Sequence, residues 1–190
     1  MTEDNVCPWR HGYLIDNFLR RLIHNPKKML GSLVTPGMTV IDVGCGMGVF
    51  SLGMARLVGS EGRVFAVDLQ EEMLRVLEKR AVRAGLSDTI RTHKCGSTEL
   101  GLDETVDFIL AFYMVHEVPD HRSLLHQLRS RLKPNGKLLI AEPKFHVSEA
   151  LFAEILESAA SAGLAKIDPP KIIMSRTALF EVKKEERVTG

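Results

Sequence analysis

Residues 39–50 read TVIDVGCGMGVF: an apolar run interrupted only by Asp42, then glycine at every second position, Gly44, Gly46 and Gly48, then apolar residues again. The first five residues have the apolar, β-branched character of a buried strand. Glycine in the loop removes side chains from a surface that another molecule must approach, and it admits backbone dihedrals closed to other residues. A helix opening at Val49 aims its free N–H groups back at that loop, where they favour an anionic group. The stretch therefore predicts a strand, a ligand-contacting turn and a helix in succession.

The same alternation continues downstream. Strands are expected at 39–43, 63–67, 89–94 and 106–112, and helices at 49–58 and 71–84. A helix over 121–132 is expected to stop at KPNG, residues 133–136, followed by a buried strand in KLLIAEP, 137–143. Ser148 is placed to cap a helix over 149–162 that Gly163 closes, and strands are expected at 164–167 and 172–182. Strand–helix alternation implies a parallel sheet. The link DPPK, 168–171, is too short for a helical crossover, so the last two strands should pair antiparallel.

Upstream, Leu14, Ile15, Phe18, Leu19 and Leu22 recur at helical spacing, giving an amphipathic helix over 13–22, and Asn25 before Pro26 marks the start of a second, short helix through Leu30. The organisation expected is a helical leader or lid over 1–35, one α/β domain over 36–183, and a charged tail over 184–190. A chain of 190 residues with 45% hydrophobic and 26% charged residues can bury a full core and should fold.

A net charge of +1 offers no broad attraction to nucleic-acid phosphates or anionic lipid, which favours a small-molecule partner. No charged-then-apolar leader and no uninterrupted apolar run of about 18 residues is present, so a cytoplasmic protein is expected. Cys7, Cys45 and Cys95 are odd in number and widely spaced, as reduced thiols would be. Neither a metal site nor a disulfide framework is expected.

The glycine spacing is G-x-G-x-G, with Val49 where the dinucleotide fingerprint G-x-G-x-x-G requires its third glycine. That weakens a nicotinamide-dependent oxidoreductase as the reading. Strand two ends in Asp68, 24 residues after Gly44, where a carboxylate can accept hydrogen bonds from both hydroxyls of a ribose. A nucleoside is implied; helix capping is the structural alternative for Asp68.

VIDVGCGMG with Asp42, the acidic end of VFAVD, VDFILAFYMVHEVPD and LKPNGKLLIAEP occur in that order between Thr39 and Pro143. Together they resemble a class I S-adenosylmethionine-dependent methyltransferase, within it the small-molecule branch typified by quinone-biosynthesis methyltransferases. The resemblance implies a Rossmann-like, doubly wound, seven-stranded sheet, mostly parallel with the last strand antiparallel and helices on both faces. It also implies S-adenosylmethionine as cofactor and S-adenosylhomocysteine as product. Asp42, Gly44, Cys45 and Gly46 would line the methionine end, Asp68 the ribose, and Leu69 and Met73 the adenine, with Phe112 beside them. Where related sequences carry an acid for the adenine amino group, this chain has Gly96 followed by Ser97.

Methyl transfer needs a base only when the acceptor must lose a proton. His116, just beyond the fourth strand, can accept one near neutral pH, with structural hydrogen bonding as its alternative role. Tyr113, Glu142 and His146 are the further acceptor-side candidates, with Trp9 as an aromatic wall from the leader. The segment AFYMVHE is unlike the N/D-P-P-Y/F sequence of adenine amino methylation, and no proline–cysteine pair supplies a nucleophile for pyrimidine C5. Nucleic-acid bases are thus disfavoured. RNA or protein methylation and a non-catalytic S-adenosylmethionine-binding role stay open, as does a soft acceptor held by Cys7, Cys45 and Cys95.

Overall fold

The computed structural model describes residues 24–183. The expected leader helix, with Trp9 and Cys7, and the charged tail lie outside the described residues. From the start, the order is α1 (Pro26–Leu30), β1 (Thr39–Val43), α2 (Val49–Val58), β2 (Arg63–Asp68), α3 (Glu71–Ala84) and β3 (Ile90–Lys94). There follow β4 (Val106–Phe112), a 3-10 turn (Val115–Glu117), α4 (His121–Arg131), β5 (Leu132–Pro143), α5 (Glu149–Ser161), β6 (Leu164–Ile167) and β7 (Ser175–Val182).

The strands form one seven-stranded sheet of order β3-β2-β1-β4-β5-β7-β6. Strands β1 to β5 pair in parallel, and β7 runs antiparallel to both β5 and β6. The expected α/β sheet, mostly parallel with an antiparallel last strand, is therefore present. Its central strands are apolar on both faces because helices cover both. Val40, Ala66, Phe108, Leu110 and Leu139 pack with Leu74, Leu77 and Met54 on one side; Ile41, Val67, Ile109, Leu138 and Ile140 pack with Leu125, Leu128 and Ile155 on the other. The period-two division of each strand between two cores makes the sheet doubly wound.

Local chemistry sets most boundaries. Asn25 accepts hydrogen bonds from the N–H groups of Lys27 (3.0 Å) and Lys28 (3.3 Å), with Pro26 in the first turn of α1. Ser148 caps α5 by accepting from the Leu151 N–H. Two boundaries differ from expectation by more than one residue. Extended chain begins at Leu132 and runs through KPNG, because Leu132 pairs with Val106 across a register shift that absorbs Asn135 at φ 65. The last strand begins at Ser175, since Met174 at φ 60 and the Ser175 N–H to Ile172 carbonyl bond make residues 172–175 a turn.

Parallel strands send their carboxyl ends to one edge of the sheet, where β1, β2 and β4 deliver their loops side by side.

Candidate functional site

The three glycines after β1 all have positive φ, +65, +52 and +84, yet each is required for its own reason. A Cβ on Gly44 would lie 2.8 Å from Cβ of Met114, so this glycine lets the segment leaving β4 rest on the loop. A Cβ on Gly48 would lie 2.1 Å from Cδ1 of Leu77 in α3. At Gly46 a Cβ would meet nothing within 4 Å. Gly44 and Gly48 thus make room for other side chains, and of the three only at Gly46 would a side chain enter open space.

Around Gly46 the site is held by backbone donors. Asp68 accepts from the Gly46 N–H (2.8 Å) through Oδ2 and from the Gln70 N–H (2.9 Å) through Oδ1. It ties the glycine loop to the turn that enters α3; the N-cap of that helix is Gln70, so the helix capping that was the structural alternative for Asp68 is not its role. A carboxylate has about four acceptor sites, so even with the added pull of the Leu69 N–H it can take a further donor. Burial raises the Asp68 pKa against the pull of those N–H groups. Cys95 donates its N–H to the Asp68 carbonyl (3.1 Å), which brings the loop carrying Gly96 and Ser97, both exposed, next to Asp68. Leu69 is half-buried, and Met73 is buried outside either apolar core.

Asp42 sits behind the loop, 2% exposed, and accepts a 2.5 Å hydrogen bond from the Ser51 hydroxyl of α2. Burial, reinforced by the charge of Asp68, outweighs that bond and raises its pKa to about 7. Phe112 is buried in the core, 4.4 Å from the ring of Phe50 and stacked at 4.1 Å on Tyr113.

The thiols are not primed for soft-ligand chemistry. Burial, with the charges of Asp42 and Asp68, pushes Cys45 well above the usual thiol range, and burial with the charge of Asp68 raises Cys95 to about 11, so both stay protonated at neutral pH. Cys7 lies outside the described residues. Among the described residues no three His, Cys, Asp or Glu side chains converge in a metal-holding group.

Beyond β4 the chain turns sharply: Tyr113 has φ 58, an unfavourable conformation for a bulky residue, and its hydroxyl lies 2.7 Å from Oγ of Ser175. The turn sets Val115–Glu117 against the end of β5. There Glu142 is fully buried, accepts from the Val115 N–H at 2.9 Å through Oε1, and pairs through Oε2 with Nδ1 of His116. Glu142 therefore backs His116 and does not line an acceptor pocket, which corrects the expectation for that residue. His146 is exposed and meets His116 edge-on, ring centroids 5.0 Å apart. Burial raises the Glu117 pKa; the charges of His116 and His146 lower it, while those of Glu142 and Asp68 raise it.

Three contributors carried no signal in the sequence: Ser51 on Asp42; Arg80, whose guanidinium holds the Met47 carbonyl of the glycine loop at 2.9 Å; and Gln127 of α4, which bridges the Leu100 N–H and the Thr98 carbonyl. Arg80 and Gln127 act on segments remote in sequence, and Ser51 reaches Asp42 only because α2 folds back on β1; no motif spacing records such contacts.

Residues 34–185 match a family model described as a methyltransferase domain. Over 110 residues the chain is 34% identical to the ubiquinone/menaquinone biosynthesis C-methyltransferase of Cellvibrio japonicus, covering 57% of this chain and 44% of that protein. It is 28% identical over 126 residues to the demethylmenaquinone methyltransferase of Geobacillus kaustophilus, covering 66% and 54%. The chain spans about half the length of these curated relatives. A SAM dependent methyltransferase from Aquifex aeolicus superposes with a TM-score of 0.83 at 24% identity, over 94% of this chain and all of that one, and shows the same fold. With the matched region taking in all seven strands, the chain belongs to the methyltransferase domain family.

Proposed function

We propose that this chain transfers a methyl group from S-adenosylmethionine to a small-molecule acceptor, with His116 receiving the acceptor's proton. The observation that carries this reading is the convergence of the open backbone at Gly46, the Asp68 carboxylate bound to it, and His116 on the neighbouring segment packed against Gly44. The sulfonium of the cofactor supplies a methyl group already activated for displacement. This chain's residues then bind, align and exclude water.

In this reading Gly44, Cys45 and Gly46 form the wall at the methionine end, with Asp42 behind them as support. Asp68 uses its remaining acceptor capacity on the ribose, Leu69 and Met73 face the adenine, and Gly96 and Ser97 lie at its far side. Phe112 supports the site from the core, while Tyr113 and His146 flank His116 on the acceptor side. Relatives named for quinone biosynthesis support a small-molecule acceptor. No helix among the described residues is long and apolar enough to cross a membrane. The free thiols of Cys45 and Cys95 fit a reducing, cytoplasmic location.

Calorimetry with S-adenosylmethionine, S-adenosylhomocysteine and NAD tests the cofactor, and methyl-labelled S-adenosylmethionine in fractionated extracts tests the acceptor. Binding of NAD alone would refute the proposal, and label found only in RNA or protein would refute its acceptor. Asp68→Ala should weaken cofactor binding by about 1.5–3 kcal/mol, the range for hydrogen bonds to a charged group. An unchanged affinity in the folded variant would remove Asp68 from the site.

Gly46→Val should weaken the same binding by roughly ten- to a hundredfold, because its side chain enters the space beside the loop. Its Cβ meets no protein atom within 4 Å, so the variant's loss of stability should come mainly from the backbone cost of a positive φ, about 1–2 kcal/mol and somewhat more for a β-branched residue. Wild-type affinity in Gly46→Val would show that the cofactor does not approach this face.

A further inference from the structure

We propose that Glu142 is the positioning residue that makes His116 a base: it holds the imidazole by Nδ1, leaves Nε2 as the proton acceptor, and stabilises the imidazolium that forms. The proposal rests on the reading of His116 given above and adds to it a second residue and a defined ring atom.

The pairing is built into the sheet. The register of β4 with β5 sets Phe112 opposite Ala141, so the residues that follow, Tyr113 onward and Glu142, emerge side by side. Both oxygens of Glu142 are then committed, one to the Val115 N–H and the other to His116, and the first of these bonds fixes the direction of the second. A carboxylate only accepts, so Nδ1 carries the hydrogen in the neutral ring and Nε2 has the free lone pair. Among the described residues Nε2 has no hydrogen-bond partner, and it is not among the buried polar atoms lacking one, which leaves it open at the site edge.

Among the described residues no Lys or Arg pairs with Glu142. Its neighbour across β7, Arg176, turns away to the Val147 carbonyl and Glu149, each at 3.1 Å. A buried carboxylate without a counter-charge is costly, so proton uptake by His116 is favoured from both sides. Burial alone would lower the His116 pKa; the bond and charge of Glu142, with the charge of Glu117, raise it above the ordinary histidine value. The groups around the ring are thus Glu142 from β5, Glu117 from its own turn and His146 from the loop after β5, with Asp68 of β2 acting on Glu117.

In the transfer, the acceptor's bond to hydrogen breaks and its proton passes to Nε2. The electron pair so released forms the bond to the methyl carbon, and the carbon–sulfur bond breaks with its pair left on sulfur. The imidazolium later returns the proton to solvent. The pairing matters for an acceptor that must shed a proton and adds nothing for one with a free lone pair.

The experiment is nitrogen-15 NMR of the histidine side chains in the whole protein across pH, with His116→Asn used to assign the signal, alongside calorimetry with S-adenosylmethionine. Unmodified His116 should be the Nδ1–H tautomer when neutral and should titrate above about 6.5. In Glu142→Gln its midpoint should fall by about one pH unit or more, with cofactor affinity unchanged. A neutral Nε2–H tautomer in the unmodified protein overturns the proposal, and so does a midpoint that Glu142→Gln leaves in place. The tautomer is read without any substitution, so a variant that fails to fold does not protect the idea. Absence of cofactor binding in the unmodified protein would instead refute the functional reading on which it rests.

Discussion

Gly48→Ala should destabilise the protein by about 2–5 kcal/mol. The added methyl would sit 2.1 Å from Cδ1 of Leu77, 3.0 Å from its Cγ and 3.2 Å from its Cδ2, and Leu77 is fully buried. The side chain cannot swing into solvent, so α3 or the glycine loop must shift, at the overpacking cost of about 1–3 kcal/mol. Gly48 also has φ +84, where an alanine adds about 1–2 kcal/mol of backbone strain. Urea unfolding measures the loss. Adding Leu77→Ala should relieve the clash, so the double variant should be more stable than the sum of the two single losses predicts. A Gly48→Ala protein within about 1 kcal/mol of wild type would mean that α3 does not lock the loop. The contrast with Gly46→Val separates the loop's two tasks, since the substitution at Gly48 acts mainly on folding and that at Gly46 mainly on binding.

Asp42→Asn should stabilise the protein above neutral pH by up to roughly 4 kcal/mol, at about 1.4 kcal/mol for each tenfold change in proton affinity. Burial raises the Asp42 pKa from 3.8 to about 7, so the folded chain retains this proton over a range in which the unfolded chain has lost it. Below pH 3.8 the group is protonated in both states and costs nothing. As pH rises toward 7 the unfolded state is increasingly favoured by its ionised carboxylate, and beyond about 7 the loss is complete. Asparagine does not titrate and still accepts from the Ser51 hydroxyl. Denaturation midpoints of the two proteins should coincide near pH 4 and diverge by pH 8. Asp68 and Glu117 are also raised, so the variant keeps a shallower decline of its own. A difference that does not change with pH would contradict the origin assigned to it.

Much of the fold was legible because the signals are local. The run Thr39–Val43 is apolar enough to be a strand wherever it goes, Asn25 and Ser148 cap their helices with atoms two or three residues away, and the short link before β7 permits only antiparallel pairing with β6. Asp68 was likewise legible, since a carboxylate ending the second strand of a parallel sheet must emerge beside the first loop. The start of β7 was not. The apolar character of Ile172 and Ile173 suggested a strand, but the chain turns there and Ile173 and Met174 are exposed.

The glycine loop and the acid–histidine pair show where local pattern stops. Three glycines at alternate positions announce a close approach, but they look alike in sequence, and only the positions of Met114 and Leu77 reveal that two of the three make room for the protein itself. Glu142 and His116 are 26 residues apart, on segments that nothing in either's neighbourhood connects. Their pairing follows from the order β1-β4-β5, the β4–β5 register and the sharp turn at Tyr113. Strand and cap identity depend on interactions within a few residues, which composition and spacing record. The identity of a buried carboxylate's partner depends on which distant segment the sheet sets beside it, and that is settled only when the whole chain has packed.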